Sequence, residues 1–405
     1  MNFPEVSIIT TWFPRVNETW IYDYVKIWRN MGGSIKVYPL HDHSDELLYP
    51  SFNSLGMQNV INKVALCRPD DRLPSYDAPK WAADLFGAIP WLQLPIGNIL
   101  SVFSAEFDSR PNQIVHAHYL VHAGTIIALL KERCNFKAVL ELHGMDIFKI
   151  GRQNPKAARE VIKRFDAVIV NCGQMELTVR DILRDDARHC QIVRINHGID
   201  ITKIAPPISE EWLPKERIEI VSAGRLVEKK GIKYLIDAFC HICQMYQNLH
   251  LTIIGDGYER EALESIVQKL GLQDRVSFIG KLTNQELINA VKESDIFVLP
   301  CIEASSGDMD GIPNVIQEAQ ACCVPVVSTW LSGIPEIVDH GLTGILVNPK
   351  DSQSLANAIE MLIVNPDLRR VMGDRGRKKV TLNLDMNQQI ISFSTLYKGI
   401  LGIGV

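Results

Sequence analysis

Ile218–Gly257 reads IEIVSAGRLVEKKGIKYLIDAFCHICQMYQNLHLTIIGDG. It opens on an apolar, β-branched run (IEIVSA) and closes on another (LHLTII). The segment between them, IKYLIDAFCHICQMY, is amphipathic at helical spacing. Strand, helix and strand in that order form a unit whose two strands must run parallel. Downstream, RVSFIG, DIFVLP, VPVVST and GILVNP alternate with further helical stretches, and from Asp351 the pattern is helical to the end. These strands are nearly continuous apolar runs, as expected when both faces of a sheet are covered. Upstream, VSIITTWF, SIKVYPL, IVHAHYL, KAVLELHG, AVIVNC and CQIVRINHG repeat the alternation, with helices expected over Val121–Arg133 and Gln174–Leu183. The segment ITKIAPPISEEWLPKER between the two series is rich in Pro and charge and reads as a linker. The pattern therefore predicts an α/β protein of two parallel-sheet domains. Ligands of such sheets bind at the carboxyl ends of the strands, at the topological switch points.

The 405 residues exceed what one core of ~250–300 residues accommodates, which also argues for two domains. A composition of 46% hydrophobic and 22% charged residues excludes disorder and collagen-like repetition. The net charge of −5 leaves no basic footprint for nucleic acid. Nine cysteines lack framework spacing, and Cys240 and Cys243 fall inside the amphipathic run, where packing is their expected role. Cys322 and Cys323 read the same way, and a zinc site would need a second ligand pair. A reducing, cytoplasmic setting fits. The start MNFPEVSIITTWF has no basic n-region and carries Glu5, so no signal peptide is expected. Leu85–Ala105 has no charged residue, yet Pro90, Pro95, Gly87, Gly97, Gln93 and Asn98 interrupt it. It reads as a buried or interface-lying segment rather than a span.

Two clusters carry chemistry. In GDMDGIPNVIQEAQ (Gly307–Gln320) an acid precedes a Gly-Ile-Pro turn, a helix is expected from near Pro313, and Glu318 lies a turn and a half along it. The amides of Ile312, Asn314 and Val315 would point out of the helix start, where phosphate oxygens are favoured. Glu318 could reach vicinal hydroxyls of a ribose. In GRLVEKKG (Gly224–Gly231), Arg225 and Lys230 follow a strand and suit a diphosphate, Arg as a fork and Lys as a point charge. The competing reading is a solvated loop in which Lys229 and Lys230 only aid solubility.

Taken in order, GRLxxxKG, IIGDG, RVSFIGKL, the acid-x7-Glu helix, ACxVPVVST and SGIPEIV resemble the retaining family-4 glycosyltransferases. HAHYL, ELHGMDI and INHGID look like motifs of the same family, and PRVNETWI is similar to its exopolysaccharide branch, including colanic-acid enzymes. The resemblance runs from about Val6 to Leu362. It implies a GT-B fold of two Rossmann-like domains facing across a cleft. Residues 1–200 would bind the acceptor and 201–380 the nucleotide-sugar, with 381–405 a helix packing back on the first domain.

By that resemblance Arg225 and Lys230 contact the donor diphosphate, Glu318 holds the ribose and Leu282 lies beside the base. Asp310 would meet hydroxyls of the transferred sugar, where the commoner family residue is Glu, longer by about 1.5 Å. Gly311, Ile312, Pro313 and Asn314 form the turn that approaches the sugar. His143, in LHGMD, would face the sugar from the first domain, while His116, His118 and His197 are read as satisfied strand-end histidines or as supports. Asn17 and Glu18 are expected on the acceptor side. Asp308-Met309-Asp310 imitates a DxD metal motif, but the resemblance uses Asp310 on the sugar, and cations from Arg225, Lys230 and the helix start could neutralise the diphosphate. No metal or other cofactor is expected.

The expectation is thus a retaining transferase moving a sugar from a nucleoside diphosphate, UDP ahead of GDP, to a hydroxyl of a lipid-linked or saccharide acceptor. It would act in the cytoplasm, with peripheral contact to the inner face of the cytoplasmic membrane. The alternatives are a nucleotide-sugar epimerase or hydrolase of the same fold and a non-catalytic sugar-nucleotide-binding protein. A dinucleotide oxidoreductase is disfavoured because IIGDGYER lacks the third glycine of the phosphate-binding fingerprint.

Overall fold

The computed structural model describes residues 3–10, 19–40, 79–87, 96–108, 110, 112–188, 190–205 and 217–403. Two six-stranded sheets form, and every strand pair in them is parallel. The first contains β1 (Glu5–Thr10), β2 (Ile35–Pro39), β3 (Gln113–His118), β4 (Lys137–Glu141), β5 (Ala167–Val170) and β6 (Gln191–Arg194), in the order β2-β1-β3-β4-β5-β6. The second contains β7 (Ile218–Ala223), β8 (Leu249–Ile254), β9 (Val276–Gly280), β10 (Ile296–Val298), β11 (Val326–Thr329) and β12 (Gly344–Val347). Its order, β12-β11-β10-β7-β8-β9, is the doubly wound arrangement whose switch point lies between its first and fourth strands, β7 and β10. The α/β expectation holds, with two Rossmann-like sheets and helices after each.

Apolar strand runs explain both cores. Ile8, Ile114, Val139 and Val168 are buried in the first sheet, and Ile220, Leu251, Phe297 and Val327 in the second. The chain divides into one unit of Met1–Asn196 with Asn387–Val405 and another of His197–Met386. The sequence boundaries stood at 200/201 and 380/381. The difference at the second arises because the helix Pro366–Asn383 stays with the second unit, while most of Met386–Leu401 belongs to the first. Tyr397 anchors that last helix: its ring stacks on Phe393 and tilts against Trp28, and its hydroxyl lies 2.7 Å from His116 Nδ1.

Two local expectations change, and the reading of Leu85–Ala105 as a buried segment rather than a span agrees with its described residues. A regular helix over Val121–Arg133 does not form. His122 adopts φ 61° and Val121 is extended, so regular helix runs only over Thr125–Leu130. Pro313 is the N-cap of the helix Asn314–Ala321 rather than a residue of its first turn. The uncharged stretch Leu85–Ala105 holds the end of one helix, Lys80–Gly87, and most of another, Ile96–Phe107. The second helix buries Ile99, Leu100, Phe103 and Phe107, and Tyr38 meets both phenylalanines edge-on. No helix among the described residues is long and apolar enough to cross a membrane. Asn17, Glu18, Trp91, Leu92 and most of the 201–217 linker lie outside the described residues.

Candidate active site

The loops that follow β7 and β10 leave neighbouring strands at the switch point of the second sheet, and they are stitched together. Lys229 O accepts the Ile302 amide at 2.9 Å, and Glu228 accepts both the amide and the hydroxyl of Ser305, at 2.8 and 2.7 Å. Gly231 allows this approach. It sits at φ 67°, and a Cβ there would fall on the carbonyl oxygen of Pro300. Gly231 then caps the helix Ile232–Cys243. The loop after β8 joins from the other side, with Leu226 N donating to Asp256 O at 2.9 Å.

Within this frame four charged side chains converge. Lys230 Nζ lies 2.6 Å from Asp310 Oδ2. Lys229 Nζ lies 3.1 Å from Asp310 Oδ1 and 3.1 Å from Asp308 Oδ2. The cluster is largely shut from solvent, with side-chain exposures of 6% for Lys229, 11% for Lys230, 16% for Asp310 and 19% for Asp308. Burial alone would raise the Asp310 pKa. Lys230 and Lys229 outweigh it and hold the carboxyl far below the usual carboxylate range. For Lys229, burial would lower the pKa, but Asp310 and Asp308 together raise it. Burial pushes the nearby Cys301 thiol up to about 12, so it is an uncharged wall of the site. Two lysines and two aspartates thus form a charge-balanced group. The solubility reading of Lys229 and Lys230 is overturned, because neither ammonium is on the surface.

The remaining donor-side residues gather on adjoining elements. Arg225 is exposed at the start of the loop that follows β7. Gly311, Ile312 and Pro313 are buried and lead into the helix Asn314–Ala321. The first amides of that helix have no intrahelical acceptor. Glu318 accepts a 3.0 Å hydrogen bond from Asn284 Nδ2. Asn284 is fixed by the capping box of Thr283 and Glu286, directly after Leu282. The half-buried Leu282 is therefore held two residues from the partner of Glu318. Sequence reading missed Lys229, Asp308 and Asn284 as members of this site. The available signal was two adjacent lysines on one strand-end loop and two aspartates, spaced i and i+2, on another.

In the first unit, β3 and β4 pair His118 with Glu141 in register. Glu141 Oε2 is 3.2 Å from His116 Nε2 and 3.6 Å from His118 Nδ1, and all three residues are buried. His116 in turn meets Tyr397, whose hydroxyl lies 3.3 Å from that of Tyr24. His118 stacks on His143 at 5.9 Å, and Tyr119 packs on the other ring contact of His143 at 4.5 Å. The His143 amide donates to Asp146 at 3.0 Å. Tyr119 and His122 both have positive φ, a costly backbone state that clusters where structure over-determines it. His116, His118 and Glu141 thus form one buried group beside His143.

Residues 207–379 match the family described as glycosyl transferases group 1. The chain is 39% identical to the amylovoran biosynthesis glycosyltransferase AmsK of Erwinia amylovora, over 87% of this chain and 89% of that protein. It belongs to the group 1 glycosyltransferases. A colanic acid biosynthesis glycosyltransferase designated as putative, WcaL of Salmonella typhimurium, is 27% identical over 96% of this chain and 97% of its own length. Among solved structures, sucrose-phosphate synthase from Thermosynechococcus elongatus superposes with a TM-score of 0.75 at 19% identity, covering 98% of this chain and 99% of that one. Anabaena Alr3699/HepE, solved with UDP-glucose, gives a TM-score of 0.71 at 20% identity, covering 97% and 100%. Both share the fold of this glycosyltransferase, the GT-B class of two Rossmann-like domains.

Proposed function

We propose that this glycosyltransferase moves a hexose, with retention of configuration, from a nucleoside diphosphate to an acceptor hydroxyl in exopolysaccharide or glycolipid synthesis. The observation that carries this reading is the buried Lys229–Lys230–Asp308–Asp310 cluster at the β7/β10 switch point. A diphosphate would take Lys230 and Arg225 together with the open amides at Asn314 and Val315. Asp310, ionised across the working pH range, would accept hydroxyls of the sugar, Glu318 the ribose hydroxyls, and Leu282 would lie against the base. Gly311, Ile312 and Pro313 would bring backbone close to the sugar, and by the family resemblance His143 is a further candidate to contact it. The relatives named for amylovoran and colanic acid synthesis support a saccharide acceptor, with a lipid-linked one as the alternative. UDP is placed ahead of GDP as the donor base, and both enter the test below.

In this mechanism the protein supplies position and charge. The cations stabilise the departing phosphate, and the same phosphate oxygen receives the acceptor proton on the face it leaves. No side chain attacks the sugar. The two lysines already neutralise Asp308 and Asp310, so the DxD pair is not offered to a metal. The test supplies UDP- and GDP-hexoses with and without a saccharide acceptor, and follows diphosphate release and product anomer by NMR. Acceptor-dependent release, retention of the anomer and less than twofold loss in EDTA are expected. Reversible inactivation by EDTA would reject the metal-free mechanism, and donor consumption without acceptor would point to an epimerase or hydrolase.

We also propose peripheral contact with the cytoplasmic face of a membrane, motivated by the uncharged stretch Leu85–Ala105. Sedimentation with anionic liposomes should fall when Trp91 and Leu92 are made polar. Equal sedimentation of the variant, or none by either protein, counts against this contact.

A further inference from the structure

The diphosphate reading makes Lys230 the phosphate ligand, yet Lys230 Nζ is 2.6 Å from Asp310 Oδ2. One ammonium would then be shared between two anions, a carboxylate and a phosphate. Lys229 resolves the conflict by geometry. Its Nζ bridges Asp310 Oδ1 and Asp308 Oδ2, both at 3.1 Å, and its backbone carbonyl is tied to Ile302 at 2.9 Å. Lys229 is thus fixed at both ends, 6% exposed, and bonded to the Asp310 oxygen that Lys230 does not use.

We propose that Lys229 is a positioning residue, which keeps Asp310 paired and in place when Lys230 turns to the donor diphosphate, with Asp308 as its standing counter-ion. The proposal rests on the reading of Lys230 as phosphate ligand and Asp310 as sugar ligand. Its logic is charge balance in a site with little water. With Lys229 present, Lys230 can leave Asp310 without stranding a buried carboxylate. Without Lys229, Asp310 retains Lys230, Asp308 is left uncompensated, and an incoming diphosphate keeps only Arg225 and the helix amides as free partners. Asp308 balances the second lysine, and without Lys229 it is the carboxylate left uncompensated.

The experiment uses the full chain and titrates UDP and GDP calorimetrically, so that no sugar need be known. Lys229→Met should weaken binding of the nucleotide that wild type prefers by about tenfold, the scale of one charge-assisted hydrogen bond. K229R should restore most of it. Asp308→Asn alone removes one negative charge and should tighten binding. In the K229M background it should recover affinity, because the stranded charge is gone. A merely structural lysine predicts the opposite, with the double variant worse than either single one. Unaltered affinity in folded K229M, or failure of D308N to rescue it, overturns the proposal. Lys230→Ala separates the two layers. If K230A binds like wild type, or wild type binds neither nucleotide, the phosphate reading itself fails and the proposal falls with it. If K230A loses binding but K229M does not, only the role of Lys229 is rejected.

Discussion

Lys230→Ala is expected to lower sugar transfer by about 10²–10³-fold, with Arg225→Ala somewhat less severe, because each removes a cation that the proposed reading sets against the leaving phosphate. The two differ in setting. Lys230 is 11% exposed and already bonded inside the site, so its loss also leaves Asp310 with Lys229 alone. Arg225 is exposed, so screening by solvent and salt reduces its share. Purified variants should keep the wild-type circular dichroism spectrum. The check is kcat/KM for the donor at constant acceptor, and a folded Lys230→Ala variant with wild-type turnover would remove the diphosphate cradle from the account.

Asp310 carries the second large effect, on both stability and rate. Removing one partner of a buried ion pair costs about 3–5 kcal/mol when the other charge is left uncompensated. Here Asp308 still offsets Lys229, so Asp310→Ala should fall near the low end of that range. The sign with pH follows from the depressed pKa of this carboxyl. Its stabilising contribution is complete above the unfolded value of about 3.9 and is lost as pH falls toward the much lower folded value. The difference in melting temperature between wild type and Asp310→Asn should therefore be large at neutral pH and shrink below about pH 4. Transfer by Asp310→Asn should drop by at least about 10²-fold, since on the proposed reading a sugar hydroxyl loses a charged acceptor. Asp310→Glu restores the commoner family residue and should stay active with altered donor preference. A melting difference that is the same at pH 3 and pH 7 would show that the carboxylate is not held by its lysines.

The strands were legible because both sheets are parallel and covered on both faces, which makes each strand an apolar run with no ambiguity of period. The loops that end in Gly224-Arg225 and Gly311-Ile312-Pro313 were legible because glycine and proline mark where backbone must turn. What escaped reading depends on pairing across distance. Nothing local to Lys229 says that it is buried, since its partners lie 79 and 81 positions onward and meet it only once β7 and β10 are adjacent. The same holds for Asn284 and Glu318, which are 34 residues apart. The irregular turn at Val121 and His122 was read as helix because its residues are apolar at helical spacing, and periodicity carries no information about a positive φ. Leu85–Ala105 looked continuous by charge, although its described portions are two surface helices with buried apolar faces.

The most direct test of the central claim, that Lys230 and Asp310 mark a nucleotide-sugar site, is thermal unfolding of wild type and Lys230→Ala with UDP-, GDP- and ADP-sugars. A ligand at 100 times its Kd stabilises the folded chain by about 2.7 kcal/mol. The account predicts that one class of nucleotide-sugar, UDP-linked first, raises the melting temperature of wild type by several degrees and leaves Lys230→Ala unmoved. Equal stabilisation of both proteins, or none of wild type by any of the three classes, would contradict it.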